Sequence, residues 1–483
     1  MVSDPTATLR ARSGAEWLGY LKAQRWFAAK GEQAVEATLE GAVAVVGDEA
    51  APFAVGRLLV RFASGAEQRY QVFEGDFAAG IARALRRASG GGTPFEAAGD
   101  DGLRWIVEAS VGLAEVPQAA SGVRQGSAEQ SNTSLIIGDA VIAKLFRKLE
   151  SGVQPDVEVT RFLTSEAHFP NTPPLVATMR FEQHGVTTVA GMAQQYLPGS
   201  SDAWSYLLEL GKANFATGAP DAVIRTAREL GVVTRELHEA LGSGNEDEGA
   251  ADFTAEHVEE DDVEAWAEGV RRSIDTALDL LERQLASGGA GALQSVRLGQ
   301  AQALLGRRDR YLEWVGETLD ALEDDLGARI RIHGDYHLGQ VLRTTDGRLM
   351  VIDFEGEPAR PLAERRAKSS PMRDVAGMMR SFSYAAATLL AGSGGGADAA
   401  RTAGERETKA ARLERDLRSG FLAGYRSVHD PEAAELLPES WDNAMRLMAL
   451  FEAEKAFYEL AYELNHRPGW VWIPMRGVSK LLV

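Results

Sequence analysis

The chain has 483 residues, of which 45% are hydrophobic, and its 51 basic and 70 acidic side chains give a formal net charge of −19 at pH 7. This excess of negative charge disfavours nucleic acids and anionic membrane surfaces as general partners. The absence of cysteine excludes disulfides and a thiol nucleophile, and it is compatible with the reducing cytoplasm. Because no signal peptide opens the chain and no run of about 18 apolar residues occurs, we expect a cytoplasmic protein that does not enter a membrane.

At this length the chain exceeds what one hydrophobic core usually organises, so we expect two or three domains or subdomains. Residues 14–30 begin as an amphipathic helix and end in the cluster Arg25-Trp26-Phe27, which we interpret as packing residues. Strand-like runs at 42–46, 54–62 and 69–73 and a helical run at 77–88 follow. A glycine-rich break comes next, so residues 1–90 are predicted to form an N-terminal α+β cap.

Residues 91–199 contain a polar turn at 121–134 and then two strand-like runs around Gly138-Asp139, the second of which carries Lys144. A strand, a polar turn, a strand and a lysine follow each other in this order where a kinase N-lobe binds the phosphates of ATP. A helical acid would hold the lysine against the phosphates, and Glu158 is our candidate. The turn has only two glycines and does not match the GxGxxG pattern, and Lys144 taken alone is compatible with an exposed strand lysine.

An apolar run from Ala190 to Tyr196 ends at Leu197-Pro198-Gly199 and resembles the hinge between two kinase lobes. We expect adenine to bind the backbone around Gln195, Tyr196 and Leu197. From residue 200 to residue 483 the pattern is mainly helical and predicts a bundle-like C-lobe. An acidic run at 244–262 is predicted to be a solvated loop, and the glycine-rich run at 391–397 a break between helices.

The stretch from Arg331 to Glu355 carries the strongest chemical signal. Its Asp346-Gly347 turn between β-rich runs predicts a hairpin that brings Asp335, Gln340 and Asp353 toward one cleft. Kinases use one aspartate to accept the proton of the acceptor hydroxyl, an amide five residues later to hold a metal, and a second aspartate for the metal. We therefore predict Asp335 as the catalytic base.

Hard oxygen ligands at such spacing suit Mg²⁺, so Gln340 and Asp353 are predicted metal ligands, with Glu355 as an additional one. Two other interpretations remain open. His333, Asp335 and His337 alternate, so on one strand face they would be the ligands of a metal hydrolase. The acids could also be the ends of an ordinary surface hairpin.

The last helical run, residues 441–465, combines aromatic and charged side chains. Tyrosine offers a ring face and a hydroxyl, both of which bind sugars. We therefore expect Tyr458, Tyr462, Glu463 and Arg467 to contact a sugar substrate, together with His333 and His337 beside the catalytic aspartate. The alternative is that this stripe packs the C-lobe.

Several segments together resemble the bacterial maltokinase family, whose members are relatives of the aminoglycoside phosphotransferases. The resemblance rests on Arg25-Trp26-Phe27, Glu129 to Ser134, Lys144 to Arg147, Pro155 to Val159, His333 to Gln340, Ile352 to Pro358, Arg373 to Gly377, and Tyr462-Glu463 with His466 to Pro468. It implies an α+β, bilobal protein-kinase-like fold with an N-terminal α+β cap and a mainly helical C-lobe. It also implies nucleotide contacts from Ser131, Asn132, Thr133 and Ser134.

The implied reaction uses ATP and Mg²⁺ to convert maltose into maltose 1-phosphate, which feeds α-glucan synthesis. An association with trehalose synthase, physical or functional, is implied as well. Because relatives of this family phosphorylate other acceptors, glucosamine and aminoglycosides remain alternatives to maltose. A binding module that holds ATP without chemistry is a third class, motivated by the glycine-poor phosphate loop.

Overall fold

The computed structural model describes residues 4–27, 32–47, 50–91, 93–110, 122–126, 132–287, 295–392, 399–428 and 435–482. The chain divides into two compact units. The first unit comprises Met1–Glu166 with Thr172–Ser200, and the second comprises Ala167–Asn171 with Ser201–Val483. Among the described residues, none of the helices has both the length and the apolar character needed to cross a bilayer.

The first unit opens with two helices and an antiparallel sheet. The helices are α1 (Pro5–Ala11) and α2 (Gly14–Ala23), and the sheet has the order β1 (Ala34–Gly47), β2 (Ala50–Phe62), β3 (Glu67–Glu74) and β9 (Lys148–Leu149). Helix α2 begins at a capping box, in which the side chains of Ser13 and Glu16 each bond to the other's backbone N–H. Trp26 and Phe27 are buried near Tyr70, and the Arg147 guanidinium lies 5.1 Å from the Trp26 ring centroid. The packing role predicted for this cluster is confirmed for Trp26 and Phe27, whereas Arg25 is exposed.

A second, seven-stranded sheet completes the first unit. Its order is β4 (Phe95–Ala98), β5 (Arg104–Ala109), β10 (Leu175–Gln183), β11 (Val186–Gln195), β8 (Val141–Phe146), β7 (Asn132–Ile137) and β6 (Val123–Gln125), with helices α3 (Phe77–Gly91) and α4 (Pro155–Ser165). Gly138 and Asp139 join β7 to β8 with φ values of 58° and 53°, the left-handed conformation of tight hairpin turns. The strand pair predicted around Gly138-Asp139 is thereby confirmed.

The second unit is mainly helical, as predicted. Its helices are α5 (Ala203–Thr217), α6 (Asp221–Leu241), α7 (Glu260–Ala286), α8 (Ser295–Leu305), α9 (Arg308–Asp320), α10 (Leu362–Arg366), α11 (Met372–Gly392), α12 (Ala399–Ser427), α13 (Trp441–His466) and α14 (Trp472–Lys480). Its strands are β12 (Ser201–Asp202), β13 (Glu256–His257), β14 (Ala328–Arg329), β15 (Val341–Arg343) and β16 (Leu349–Val351). Helix α6 packs closely on α12, since a Cβ atom at Gly231 would lie 2.0 Å from the Phe421 carbonyl oxygen.

The acidic run at 244–262 is more structured than predicted. It contains two short 3₁₀ turns, strand β13 and the first turn of α7, and it buries Phe253. Glu260, Asp261 and Asp262 lie in the first turn of α7, where the helix dipole favours negative charge. The acidic run therefore forms the start of a helix as well as a solvated loop.

Most of the glycine-rich break predicted at 391–397 lies outside the described residues.

One boundary between the two units lies close to a predicted segment boundary. The second unit takes over at residue 201, close to the predicted start of the C-lobe at residue 200, and 1–90 and 91–199 fall mostly in the first unit. Asn171 belongs to the second unit because its carbonyl accepts the Val351 N–H and its amide donates to the Leu349 carbonyl, both at 2.7 Å. The separation of a cap at 1–90 from an N-lobe at 91–199 stays a prediction. The α+β class is confirmed.

Candidate active site

The predicted hairpin forms in the second unit. Strands β15 and β16 pair antiparallel with Val341 opposite Val351, and Gly347 in the turn has a φ of 92°, which favours glycine. His333, Asp335 and His337 precede this hairpin in a loop. They do not share a strand face, so the geometry predicted for a metal hydrolase is wrong, because the strand begins only after the 3₁₀ turn Leu338–Gln340.

Gln340 and Asp353 come together at the open end of the hairpin. The Gln340 amide donates to Asp353 Oδ2 at 3.1 Å, and the Ile352 N–H donates to the Gln340 carbonyl at 3.0 Å. Asp353 has a φ of 71°, a strained conformation for a non-glycine residue and one that clusters at functional sites. The amide oxygen and the carboxylate are the hard ligands that Mg²⁺ prefers, so this donor set fits the ion.

Asp335 lies in a charged cluster that also involves the central helix α13. Lys455 Nζ is 3.2 Å from Asp335 Oδ1 and 3.2 Å from Glu357 Oε2, so one ammonium bridges two carboxylates. Burial alone would lower the pKa of Lys455, but the carboxylates of Asp335 and Glu357 outweigh it and raise that pKa. His337 lies at the margin of this cluster, with its Nε2 4.0 Å from Asp335 Oδ2.

The backbone of the loop that carries Asp335 is held by a buried aspartate. Asp374 accepts the backbone N–H groups of His333 at 2.7 Å and Gly334 at 2.9 Å, and its carboxylate is 3.3 Å from His238 Nε2. Burial would raise the pKa of Asp374, but the contacts with His238, His333 and the Gly334 N–H lower it instead. Gly334 has a φ of 80°, and a Cβ at Gly377 on α11 would lie 2.6 Å from the Tyr336 carbonyl oxygen. Small residues therefore let helix α11 and the loop approach each other.

His333 also positions the loop. Its side chain is buried, and its Nε2 is 3.0 Å from the Ile352 carbonyl, so the ring links the loop to the segment that carries Asp353. A substrate contact by His333 stays a prediction.

A cavity of about 210 Å³ opens next to Asp335. It is lined by Trp266, Ser273, Ile332, Gly334, Asp335, Tyr336, Gly356, Glu357, Arg360, Glu364, Arg365, Ala367, Lys368, Ser369, Arg373, Asp374, Gly377, Phe451, Glu454, Lys455 and Tyr458. Of the six predicted substrate residues, Tyr458 is among these lining residues. Burial raises the pKa of its hydroxyl, and the nearby Glu357 carboxylate raises it further.

The other predicted sugar contacts on α13 lie further along the helix. Glu463 is fully buried and accepts hydrogen bonds from Arg467 at 2.6 Å and from the Tyr384 hydroxyl at 3.1 Å. Tyr462 is 40% exposed and stacks on His466, with 4.5 Å between ring centroids. The structure thus brings Tyr458 next to Asp335, and sugar binding by Tyr462, Glu463 and Arg467 stays a prediction.

The cavity lining also includes residues of α13 that were not predicted from the sequence as substrate contacts. Glu454 accepts hydrogen bonds from Arg360 at 2.8 Å and Arg373 at 2.5 Å, and together with Lys455 it faces the cavity one turn before Tyr458. The i, i+3 and i, i+4 spacing of these residues around Tyr458 was the available signal. Nothing in the local sequence indicated that Lys455 would meet Asp335, which lies 120 residues earlier.

In the first unit, Lys144 on β8 forms an ion pair with Asp156 at the start of α4, at 2.8 Å. Asp156 is buried and lies two residues before the predicted partner Glu158. The carboxylate found here is therefore Asp156, and a role for Glu158 stays a prediction. The pair restricts the position of an ammonium group on an otherwise flexible side chain. Phosphate binding by Lys144 stays a prediction.

The other residues predicted to contact the nucleotide lie in or next to strands of the first unit, as far as the structure describes them. Asn132, Thr133 and Ser134 lie in strand β7, where the Thr133 hydroxyl accepts a hydrogen bond from Arg147 at 2.7 Å, and Ser131 lies outside the described residues. The backbone N–H of Gln195 donates to the Pro174 carbonyl at 3.0 Å, and that of Tyr196 donates to the Ala140 carbonyl at 2.8 Å. The Leu197 carbonyl accepts the Ser200 hydroxyl at 2.8 Å. Adenine binding at this segment stays a prediction.

Two family models match the chain. Residues 123–356 match the model described as "Phosphotransferase enzyme family", and residues 20–111 match the "Maltokinase N-terminal cap domain". Over 428 residues, 88% of this chain and 85% of the relative, the sequence is 26% identical to a glucosamine kinase of Streptacidiphilus jiangxiensis. Over 383 residues it is 28% identical to a glucosamine kinase of Mycolicibacterium smegmatis, covering 77% of this chain and 82% of that protein.

The fold is similar to solved glucosamine kinase structures. One, in complex with glucosamine, ADP and inorganic phosphate, matches with a TM-score of 0.67 and 21% identity over 100% of both chains. Another crystal form matches with a TM-score of 0.69 and 21% identity over 98% of both chains. The matches to the phosphotransferase model and to the cap model are consistent with the kinase-like site described above. The two matches together support a maltokinase-like protein with the aminoglycoside phosphotransferase fold, in which a kinase-type region at 123–356 follows a maltokinase-type cap at 20–111.

Proposed function

We propose that this protein transfers the γ-phosphate of ATP to the anomeric hydroxyl of maltose and releases ADP and maltose 1-phosphate. The single observation that carries the proposal is the position of the Asp335 carboxylate in a cavity that also presents a tyrosine hydroxyl and several charged hydrogen-bonding groups. Sugars are bound by such acid, arginine and aromatic groups. The maltokinase-type cap supports maltose as the acceptor.

In the proposed step, the sugar hydroxyl oxygen attacks the γ-phosphorus. The bond from this phosphorus to the oxygen that bridges to the β-phosphate breaks, and the hydroxyl proton passes to Asp335. Lys144, held by Asp156, would bind phosphate oxygens of the nucleotide. When bound, Mg²⁺ would neutralise developing charge on the phosphates, and Gln340, Asp353 and Glu355 would hold it.

Glucosamine is the second candidate acceptor, because the curated relatives named above are glucosamine kinases. The proposed product, maltose 1-phosphate, would feed α-glucan synthesis in the cytoplasm. An association with trehalose synthase, a functional source of maltose, is part of the same proposal.

The acceptor is tested by measuring ADP release from ATP with maltose, glucose, glucosamine and an aminoglycoside at equal low concentrations. We expect maltose to give the largest kcat/KM. A larger value with another sugar would replace maltose as the acceptor and leave the kinase assignment intact. ADP release that no sugar stimulates, from folded protein that binds nucleotide, would favour a binding module.

Chelation of divalent cations belongs to the same assay. We expect a chelator to abolish sugar-dependent ADP release and added Mg²⁺ to restore it, because the ion would neutralise the negative charge that develops on the phosphates during transfer. Activity that persists in chelator would contradict the assignment of Gln340 and Asp353 as metal ligands.

Tyr458 offers a sharper test of the acceptor site. We expect Tyr458→Phe to raise the KM for the sugar by about tenfold, the equivalent of one lost hydrogen bond, and to change the KM for ATP by no more than a few-fold. The matched variant is Tyr462→Phe, which removes the same atom one turn further along α13 and outside the cavity lining. A larger increase for Tyr462→Phe would move the sugar contact away from the cavity.

A further inference from the structure

The cavity beside Asp335 is lined by an equal number of acidic and basic side chains. The acids are Asp335, Glu357, Glu364, Asp374 and Glu454, and the bases are Arg360, Arg365, Lys368, Arg373 and Lys455. The protein as a whole has 19 more acidic than basic side chains. The cavity lining therefore lacks the excess of negative charge that the rest of the chain carries.

Each of these five carboxylates already has a cation or a set of N–H donors from the protein. Glu454 is paired with Arg360 and Arg373, and Glu364 lies 3.9 Å from Arg360. Asp374 accepts two backbone N–H groups of the loop. The two carboxylates closest to Tyr458, Asp335 and Glu357, share Lys455.

Lys455 is the cation at the reacting end of the cavity. Its side chain is 27% exposed, compared with 22% for Asp335 and 10% for Glu357, so the three charged groups are only partly screened by water. The carboxylates around it raise its pKa, which keeps the ammonium protonated at neutral pH. The pKa of Tyr458 is also raised, by burial first and then by Glu357, so its hydroxyl stays a neutral donor.

An acceptor that carries its own ammonium would meet Lys455 at short range. Like charges within a few ångströms repel strongly in a partly buried site. To bind a carboxylate there, the substrate ammonium would have to displace the protein's own cation, whereas a hydroxyl can donate to Asp335 or Glu357 while Lys455 stays in place. Discrimination between substrates can arise from such a repulsive element as well as from attractive contacts.

We propose that Lys455 makes the acceptor site selective for uncharged sugars over amino sugars, by occupying the position between Asp335 and Glu357 that a substrate ammonium would need. This inference rests on the proposed sugar-kinase function and narrows its substrate class. It assigns Lys455 as a specificity-determining residue and separates this chain from the substrate named for its glucosamine kinase relatives.

The test compares glucose with glucosamine, which differ only in a hydroxyl or an amino group at C2. We expect wild-type protein to show a kcat/KM for glucose at least about tenfold above that for glucosamine, a difference that corresponds to about 1.4 kcal/mol. Lys455→Met should shift this ratio toward glucosamine by about tenfold. Where turnover of a variant is too slow, the ratio of the two Kd values replaces the kinetic ratio.

A second variant, which removes a negative charge instead of a positive one, should shift the ratio in the opposite direction. A loss of stability caused by Lys455→Met could not produce this result. Glu357→Gln removes one carboxylate and leaves Lys455 in place, so it should shift the ratio further toward glucose. The matched control is Lys480→Met, which removes a lysine that bonds Glu414 at 3.0 Å outside the cavity lining, and its ratio should equal the wild-type ratio.

The outcomes separate this inference from the proposed function. If no sugar stimulates ADP release, the sugar-kinase function itself fails. If sugars do so but wild-type protein prefers glucosamine, or if Lys455→Met lowers both activities equally and leaves the ratio of Kd values unchanged, the kinase function stands and the role of Lys455 is overturned. A ratio that moves equally in Lys480→Met would also overturn it, because the effect would then not depend on the cavity.

Discussion

Asp335→Asn is expected to lower kcat with the sugar acceptor by about 10²- to 10⁴-fold, the usual contribution of a positioned general base. The asparagine side chain has nearly the same shape but cannot accept the hydroxyl proton. Because Asp335 lines the cavity in which we propose that the sugar binds, and Lys144 belongs to the other structural unit, nucleotide affinity should stay within a few-fold of wild type. Steady-state kinetics and a nucleotide-binding titration measure both quantities.

Asp346→Asn is the matched control for this variant. Asp346 lies in the turn of the same hairpin, its side chain is 60% exposed, and it pairs only with the neighbouring groups Thr344 and Arg348 among the contacts described. Its substitution should leave kcat near the wild-type value. Sugar phosphorylation at the wild-type rate by Asp335→Asn would remove Asp335 from the catalytic role.

Asp374→Asn is expected to lower both stability and kcat. One asparagine oxygen cannot replace two carboxylate oxygens, so at least one of the N–H groups of His333 and Gly334 would lose its acceptor in a buried place. A buried polar group left without a partner costs about 1–3 kcal/mol, and more where a charge-assisted bond is lost. Chemical denaturation measures the stability, and steady-state kinetics measure the loss of kcat that follows when the loop carrying Asp335 is less well anchored.

The pH dependence gives an additional signature for Asp374. Its pKa is lower in the folded protein than the ordinary value of about 3.9, so its stabilising contribution is present above that value and is lost as the pH falls through the folded pKa. The stability difference between wild type and Asp374→Asn should therefore be largest at neutral pH and shrink under strongly acidic conditions. A difference that does not change with pH would show that the charge of Asp374 is not what holds the loop.

Residues 331–355 show which features of the site could be predicted from local sequence. Strand propensity and the Asp346-Gly347 turn predicted the hairpin, and this hairpin forms with Gly347 in the left-handed region. The short separation of Gln340 from Asp353 then made their proximity predictable. The strand face that His333, Asp335 and His337 would have shared does not form, because Gly334 has a positive φ and the loop is anchored by Asp374 on a helix that follows later in the chain.

Helix α13 shows what could not be predicted from local sequence. Its aromatic and charged pattern predicted both a packing stripe and a sugar platform, and spacing alone could not distribute the residues between these roles. Glu463 is buried and accepts hydrogen bonds from Arg467 and Tyr384, while Tyr458 and Lys455 face the cavity. Polar and apolar residues are distributed almost evenly around the helix. The neighbouring elements therefore decide which face packs in the core and which face lines the cavity.

By itself the sequence determined the α+β class, the positions of several helices and strands, and the spacing of Asp335, Gln340 and Asp353, because these depend on interactions between residues that are near one another in the chain. Only the tertiary structure decided that Lys144 meets Asp156, that Asp374 holds the loop at His333, and that Lys455 bridges Asp335 and Glu357. The last two arrangements join residues that lie 41 and 120 positions apart. Such pairings follow from how helices pack on one another, and a charged side chain carries no local signal of the partner that packing will bring to it.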